Sequence, residues 1–183
     1  MQWWIILIIV VVLILLWIMS SYNGLVQLRN RVKDQWAQID VLLKRRSDLI
    51  PNLVETVKGY AKHESGTLEA VINARNKAVT ATNVHEQAQA SNELSQALTH
   101  LFALSESYPE LKANTNFMEL QTSLKETEDK IATARQFYND SVLTYKNKLE
   151  MFPSSIIASL FGFKPEEFFK VSEAEKETPK VQF

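Results

Sequence analysis

Residues 3 to 60 read WWIILIIVVVLILLWIMSSYNGLVQLRNRVKDQWAQIDVLLKRRSDLIPNLVETVKGY, and this stretch decides the fold. Its first part, Trp3 to Met19, is uninterrupted apolar sequence, and no charged side chain precedes Arg29. A helix of that length covers roughly 25 Å of a hydrocarbon core of roughly 30 Å. Ser20, Ser21 and Tyr22 can complete the span, and Trp3, Trp4 and Trp17 lie near its two ends, where amphipathic rings favour the interface. A cleaved signal peptide fits less well. No Lys or Arg forms a basic leader, the apolar core is too long, and Ser20-Ser21-Tyr22 is not a small-x-small site. A buried soluble helix would need a polar face, and there is none. Arg29, Arg31 and Lys33 follow the span, so the positive-inside rule predicts the N-terminus outside and the body in the cytoplasm, held as a single-pass protein of the cell membrane.

Beyond the anchor the pattern changes to a bundle helix. Leu25, Val32, Trp36, Ile39, Leu43, Ile50, Leu53, Val57 and Tyr60 fall on a seam with steps of four and three, completed only when Arg29 and Arg46 are counted in it. Leu28, Leu42, Leu49 and Val54 widen the seam to a core-facing face. Pro51 removes one backbone donor and predicts a kink or interruption near Ser47. His63-Glu64-Ser65-Gly66 reads as a turn, followed by a helix from Thr67 to about Thr80. Asn83 is a candidate N-cap for a third helix carrying Leu94, Leu101 and Leu104, which Pro109 ends. Asn116 to Glu119 resembles a capping box for the last long helix. There Phe117, Leu120, Leu124, Thr127, Ile131, Ala134, Tyr138, Ser141, Tyr145, Lys148 and Phe152 repeat the seam until Pro153 stops it.

The expected fold class is therefore all-α: an N-terminal single transmembrane helix continuous with an up-and-down, four-helix antiparallel bundle. The expected domains are an anchor at 1–22, the bundle at 23–152, and a short apolar helix with a mobile tail at 153–183. A three-helix alternative survives if the chain does not reverse at Ala81 to Asn83. The choice matters for Ile156, Ile157, Leu160, Phe161 and Phe163. Four helices bring this uncharged stretch back to the bilayer surface as a membrane contact, and three place it at the distal end.

Two segments carry a family likeness: YNGLVQLRNRVKDQWAQIDVLLKRRSDLIPNLVETVKGYAKHE at 22–64 and YPELKANTNFMELQTSLKETEDKIATARQFYNDSV at 108–142. Both resemble the LemA family of bacterial membrane-anchored proteins. The likeness extends to the anchor and to the Phe-Pro…Gly-Phe region at 152–163, and departs in detail at Leu42 and Ser47. It implies a four-helix bundle with the N-terminus outside, and it supplies no enzymatic activity, the family's biochemical role being unsettled.

Little in the chain suggests a reaction. The net charge is −1, which gives no field for nucleic acid, and the absence of cysteine removes disulfides, thiolate metal sites and thiol nucleophiles. His63, His85 and His100 are scattered; His63-Glu64 begins a zinc-protease motif, but Thr67 stands where its second histidine belongs. No Glu-x-x-His pair supports a bundle di-metal site, and no phosphate-binding glycine loop or nucleophile elbow is present. Glu126, Glu128 and Asp129 read mainly as a solvated face, as does the Lys44-Arg45-Arg46 run. The expected catalytic, cofactor and metal sites are none. The informative polar residues are Arg29 and Arg46, because a guanidinium on the seam is costly unless paired or able to reach the bundle edge. Pairing with acids of the last helix is expected, Glu128 first, with Arg135 joining the network. Tyr22-Asn23 and Tyr138-Asn139 read as core rings with hydroxyls bonded at the rim. The functional expectation is a membrane-anchored, non-enzymatic scaffold whose partners are the lipid bilayer and either a protein or copies of itself. A module that binds or remodels lipid is the alternative.

Overall fold

The computed structural model describes residues 2–170. Six helices account for nearly all of them: α1 Trp3–Lys58, α2 Ser65–Thr80, α3 Val84–Ser105, α4 Pro109–Lys112, α5 Thr115–Glu150 and α6 Ser154–Leu160. No strand occurs among the described residues. The all-α fold is as the sequence predicts, and the chain does reverse at Ala81, Thr82 and Asn83. Asn83 caps α3 by accepting from the Glu86 N–H at 2.8 Å, and Lys77 of α2 pairs with Glu93 of α3 at 2.7 Å. The long helices are therefore four, α1, α2, α3 and α5. Of the tail expected to be mobile from Lys164, residues 171–183 lie outside the described residues.

The described residues divide into two compact units, 2–37 with 137–167, and 38–136 with 168–170. In the second unit the C-terminal part of α1, α2, α3 and the N-terminal part of α5 enclose one apolar core. Its fully buried members include Leu53, Val71, Leu94, Leu101 and Phe117. Phe117 meets Phe102 edge to face with centroids 6.3 Å apart.

Four local expectations are corrected here. Pro51 does not interrupt α1, which runs unbroken to Lys58. The carbonyl its missing N–H leaves free is that of Ser47, and Arg75 Nε donates to it at 3.4 Å from α2. The turn after α1 lies at Gly59 to Glu64, with Ser65 and Gly66 already helical. Pro109 does not end α3, which stops at Ser105; it opens α4, where a first-turn proline costs no hydrogen bond. Finally, the cap of α5 is Asn114 rather than Asn116, its side chain accepting from the Phe117 N–H at 3.0 Å.

In the first unit, Leu25 and Val32 of α1, Tyr138, Val142 and Tyr145 of α5, and Ile157 and Ala158 of α6 are all buried. Trp36 lies 5.5 Å from the Tyr138 ring. The α5 seam holds as far as Tyr145, but its last two expected positions do not: Lys148 is exposed and Phe152 lies beyond the helix, 80% exposed. Tyr138 donates to the Glu167 carbonyl at 2.8 Å, whereas Tyr22 is not a core ring and stays 38% exposed.

Burial, reinforced by Glu166 and Glu167, pushes the Tyr138 hydroxyl from 10.0 up to about 12. An unfolded tyrosine ionises first, so this contribution to stability is complete below pH 10 and is lost as pH rises through about 12. Alkaline titration of the thermal midpoint should therefore fall less steeply in Tyr138→Phe than in the wild type. Equal slopes would show that Tyr138 does not carry this loss.

α6 ends in a left-handed turn. Gly162 has φ +68°, the Phe163 N–H donates to the Ala158 carbonyl at 2.9 Å, and the Gly162 N–H donates to that of Ser159 at 3.3 Å. The space around Gly162 is open, so Gly162→Ala meets no atom and carries only the backbone penalty, about 1 kcal/mol. The thermal midpoint should drop by roughly 2–4 °C. An unchanged midpoint would mean the turn does not need this conformation.

Candidate functional site

The most organised polar cluster sits inside the second unit, where α1, α3 and α5 meet. The seam of α1 delivers Arg46 to its centre, with no exposed surface at all. Nη1 donates to Glu128 Oε2 at 2.7 Å and to Ser95 Oγ at 3.0 Å. Nη2 donates to Ser91 Oγ at 2.7 Å and to the Ser91 carbonyl at 3.4 Å. The second carboxylate oxygen of Glu128 accepts from the Ser95 hydroxyl at 2.6 Å. Arg135 approaches from the next turns of α5. It donates to Ser91 Oγ at 2.5 Å and to Asn92 Oδ1 at 3.3 Å, and it lies 4.5 Å over the Phe169 ring. Ser91, Asn92 and Ser95 recur on one face of α3, small enough to let two guanidinium groups approach its backbone.

The structure thus brings Arg46, Glu128 and Arg135 into one network around Ser91. It does not bring Arg29 there. Arg29 belongs to the first unit and stands 5.3 Å over the Phe163 ring, so its expected acid partner is replaced by an aromatic face. The Lys44-Arg45-Arg46 run is split, with Lys44 and Arg45 in solvent and Arg46 in the core.

The proposed membrane contacts are also divided. Ile156, Leu160 and Phe161 are more than half exposed and Phe163 is partly covered, but Ile157 is 2% exposed and packs inward. Ile157 is therefore withdrawn from that set; a seven-residue helix with apolar residues all round must bury one side of them. Sequence reasoning missed Ser91, Asn92 and Ser95. The signal available was their polar character on the same turns of α3 as the buried Ala90, Leu94 and Leu98.

This cluster locks helices together and offers little to a substrate. The hydroxyl of Ser91 already accepts from both arginines, and that of Ser95 is spent on Glu128. Glu128 accepts from the buried Arg46 guanidinium through one oxygen and from Ser95 through the other. His63, His85 and His100 are all exposed, and no cluster of metal-ligating side chains occurs among the described residues. Beside the lock, α3 and α5 leave an open groove of about 730 Å³. Leu98, Phe102 and Leu124 line it, together with Glu126, Glu128, Asp129 and Lys125.

These features define a class: an all-α bundle protein whose first helix is long and apolar enough at its N-terminal end to cross a membrane. The chain belongs to the LemA family, which it matches over residues 35–183. It is similar to the magnetosome protein MamQ 2 of Paramagnetospirillum magneticum, with 25% identity over 179 residues, covering 84% of this chain and 66% of the relative. The magnetosome protein MamQ of Magnetospirillum gryphiswaldense is 24% identical over 178 residues, covering 83% of this chain and 65% of the relative. Protein LemA of Metamycoplasma hominis is 25% identical over 158 residues, with 84% and 71% covered. The chain spans about two thirds of the length of the magnetosome relatives it matches.

Proposed function

We propose that the protein is a membrane-tethered, non-enzymatic scaffold that recruits a protein partner or assembles with copies of itself. Its body would lie on the cytoplasmic side, following Arg29, Arg31 and Lys33. One observation carries the reading. The polar cluster around Arg46 bonds chiefly within itself, while the adjoining groove between α3 and α5 is open and lined by Leu98, Phe102 and Leu124 together with three acids and Lys125. A partner helix with an apolar stripe and basic flanks suits that groove. Relatives named as magnetosome proteins fit a tether whose partner differs between organisms.

A photo-crosslinking residue at Thr99 or Thr122, both lining the groove, tests this in cells. A discrete adduct, either to another protein or to a second copy, is expected, and it should disappear when Leu98 is replaced by Asp. No adduct from either position would overturn the proposal. Thiol accessibility of a single cysteine at Val41, which is 67% exposed, tests the orientation: it should be protected in intact cells and react after permeabilisation.

A further inference from the structure

The first unit has an unusual outer surface. Met151 to Phe163 contains no ionisable side chain, and α6 sits in the middle of it. One face of α6 is packed through Ser154, Ile157 and Ala158. The opposite face of a surface helix should be polar. Here it is not: Phe152, Ile156, Leu160 and Phe161 are 80%, 54%, 72% and 52% exposed. Ile156 and Leu160 lie four residues apart on one side of α6, and Phe152 and Phe161 flank its two ends, so the exposed apolar residues are grouped rather than scattered.

The position of the group names what covers it. From Trp3 to Tyr22 the helix rises about 30 Å, the thickness of a hydrocarbon core, so Tyr22 marks the bilayer edge if α1 spans it. Tyr22 is the residue that holds the end of α6. Its ring lies 4.9 Å from that of Phe161 and 5.5 Å from that of Phe163, in edge-to-face geometry. Phe163 in turn is covered by the Arg29 guanidinium. The left-handed Gly162 turns the chain so that Phe163 can reach this position. The bare side of α6 is therefore held at the level where acyl chains give way to headgroups. Glu150 and Lys164, the nearest charges in sequence, bracket the group.

We propose that α6 is a second membrane contact, an interfacial foot that inserts Phe152, Ile156, Leu160 and Phe161 into the same leaflet from which α1 emerges. The foot rests on the reading of α1 as the anchor and is independent of which protein the bundle recruits. Two contacts fix the emerging helix in a way one span does not: a lone helix can tilt and rotate, whereas a foot on one side restricts both.

The chain has no cysteine, so a single introduced thiol reports one position. Four full-length variants, Ile8→Cys, Ile156→Cys, Leu160→Cys and Phe137→Cys, are labelled with an environment-sensitive fluorophore in phosphatidylcholine vesicles. All four sites are exposed, so the fold should be retained, which circular dichroism checks. Quenching by brominated acyl chains is compared with quenching by aqueous iodide. Phe137 lies on α5 thirteen residues before Glu150, about 20 Å along the helix, and should be quenched by iodide alone. Leu160 and Ile156 should be quenched by the brominated chains and protected from iodide, as Ile8 is. If Leu160 is as open to iodide as Phe137, the foot is overturned while the Ile8 label still reports an intact anchor. Protection from both quenchers would mean that protein covers α6, which also overturns it. If Ile8 itself escapes the brominated chains, anchor and foot fall together.

Discussion

Glu128→Ala is expected to destabilise the bundle by about 3 kcal/mol, which lowers the thermal midpoint by roughly 10 °C. The cause is what the substitution leaves behind. Arg46 is wholly buried on the α1 seam, and Glu128 is the carboxylate that neutralises it at 2.7 Å. Without that carboxylate the guanidinium keeps its bonds to Ser91 and Ser95, but its charge stays in the core. Arg46→Met should cost much less, about 1 kcal/mol. The apolar side chain fills the seam, and Glu128, whose side chain is 37% exposed, can turn to water. The asymmetry is the diagnostic result. Thermal unfolding of the full chain in detergent reads both variants, and the double variant should resemble Arg46→Met alone. Equal costs for the two single changes would mean that the pair acts as an ordinary surface bridge.

The same lock shows where sequence reasoning succeeded and where it ran out. Arg46 was legible because the steps of four and three in α1 leave two seam positions to arginines, Arg29 and Arg46, where a guanidinium must pair or reach the bundle edge. Glu128 was legible only as the first candidate among the acids of the last helix, in a cluster with Glu126 and Asp129 that reads mainly as a solvated face. Ser91, Asn92 and Ser95 were not, because small polar residues on a helix suit an exposed face equally well. Only the packing of α3 against α1 shows that they line the arginine. Arg29 carried the same seam signal as Arg46 and yet meets Phe163, since its neighbour is set by the turn at Gly162, far away in sequence. The α5 cap was ambiguous for a local reason. Asn114 and Asn116 are two residues apart, both are good caps, and hydrogen-bond geometry chose the former. The fold class itself needed none of this, being written in periodicity, in Pro153 after the last long helix and in the short link at Ala81 to Asn83.

Phe117→Ala should be the most damaging single change in the second unit, costing about 4 kcal/mol. Phe117 is completely buried at the first turn of α5, meets Phe102 edge to face, and belongs to the cluster that includes Leu53, Val57, Leu68, Leu101 and Leu111. Every long helix contributes to that cluster, so the cavity cannot be closed by moving one of them. A fall in the thermal midpoint of roughly 10–15 °C is expected, with Phe117→Leu recovering most of it because far less volume is lost. Hydrogen exchange should show where the loss falls. Amides across residues 50–124 should lose protection, while those of the apolar part of α1 should not, because their hydrogen bonds are sheltered by lipid rather than by this core. A protein so altered keeps the apolar part of α1 and has a weakened bundle. In cells, Phe117→Ala should therefore keep its membrane location and lose the crosslink from Thr99. Retention of that crosslink would show that recruitment needs only the tether and not the folded groove.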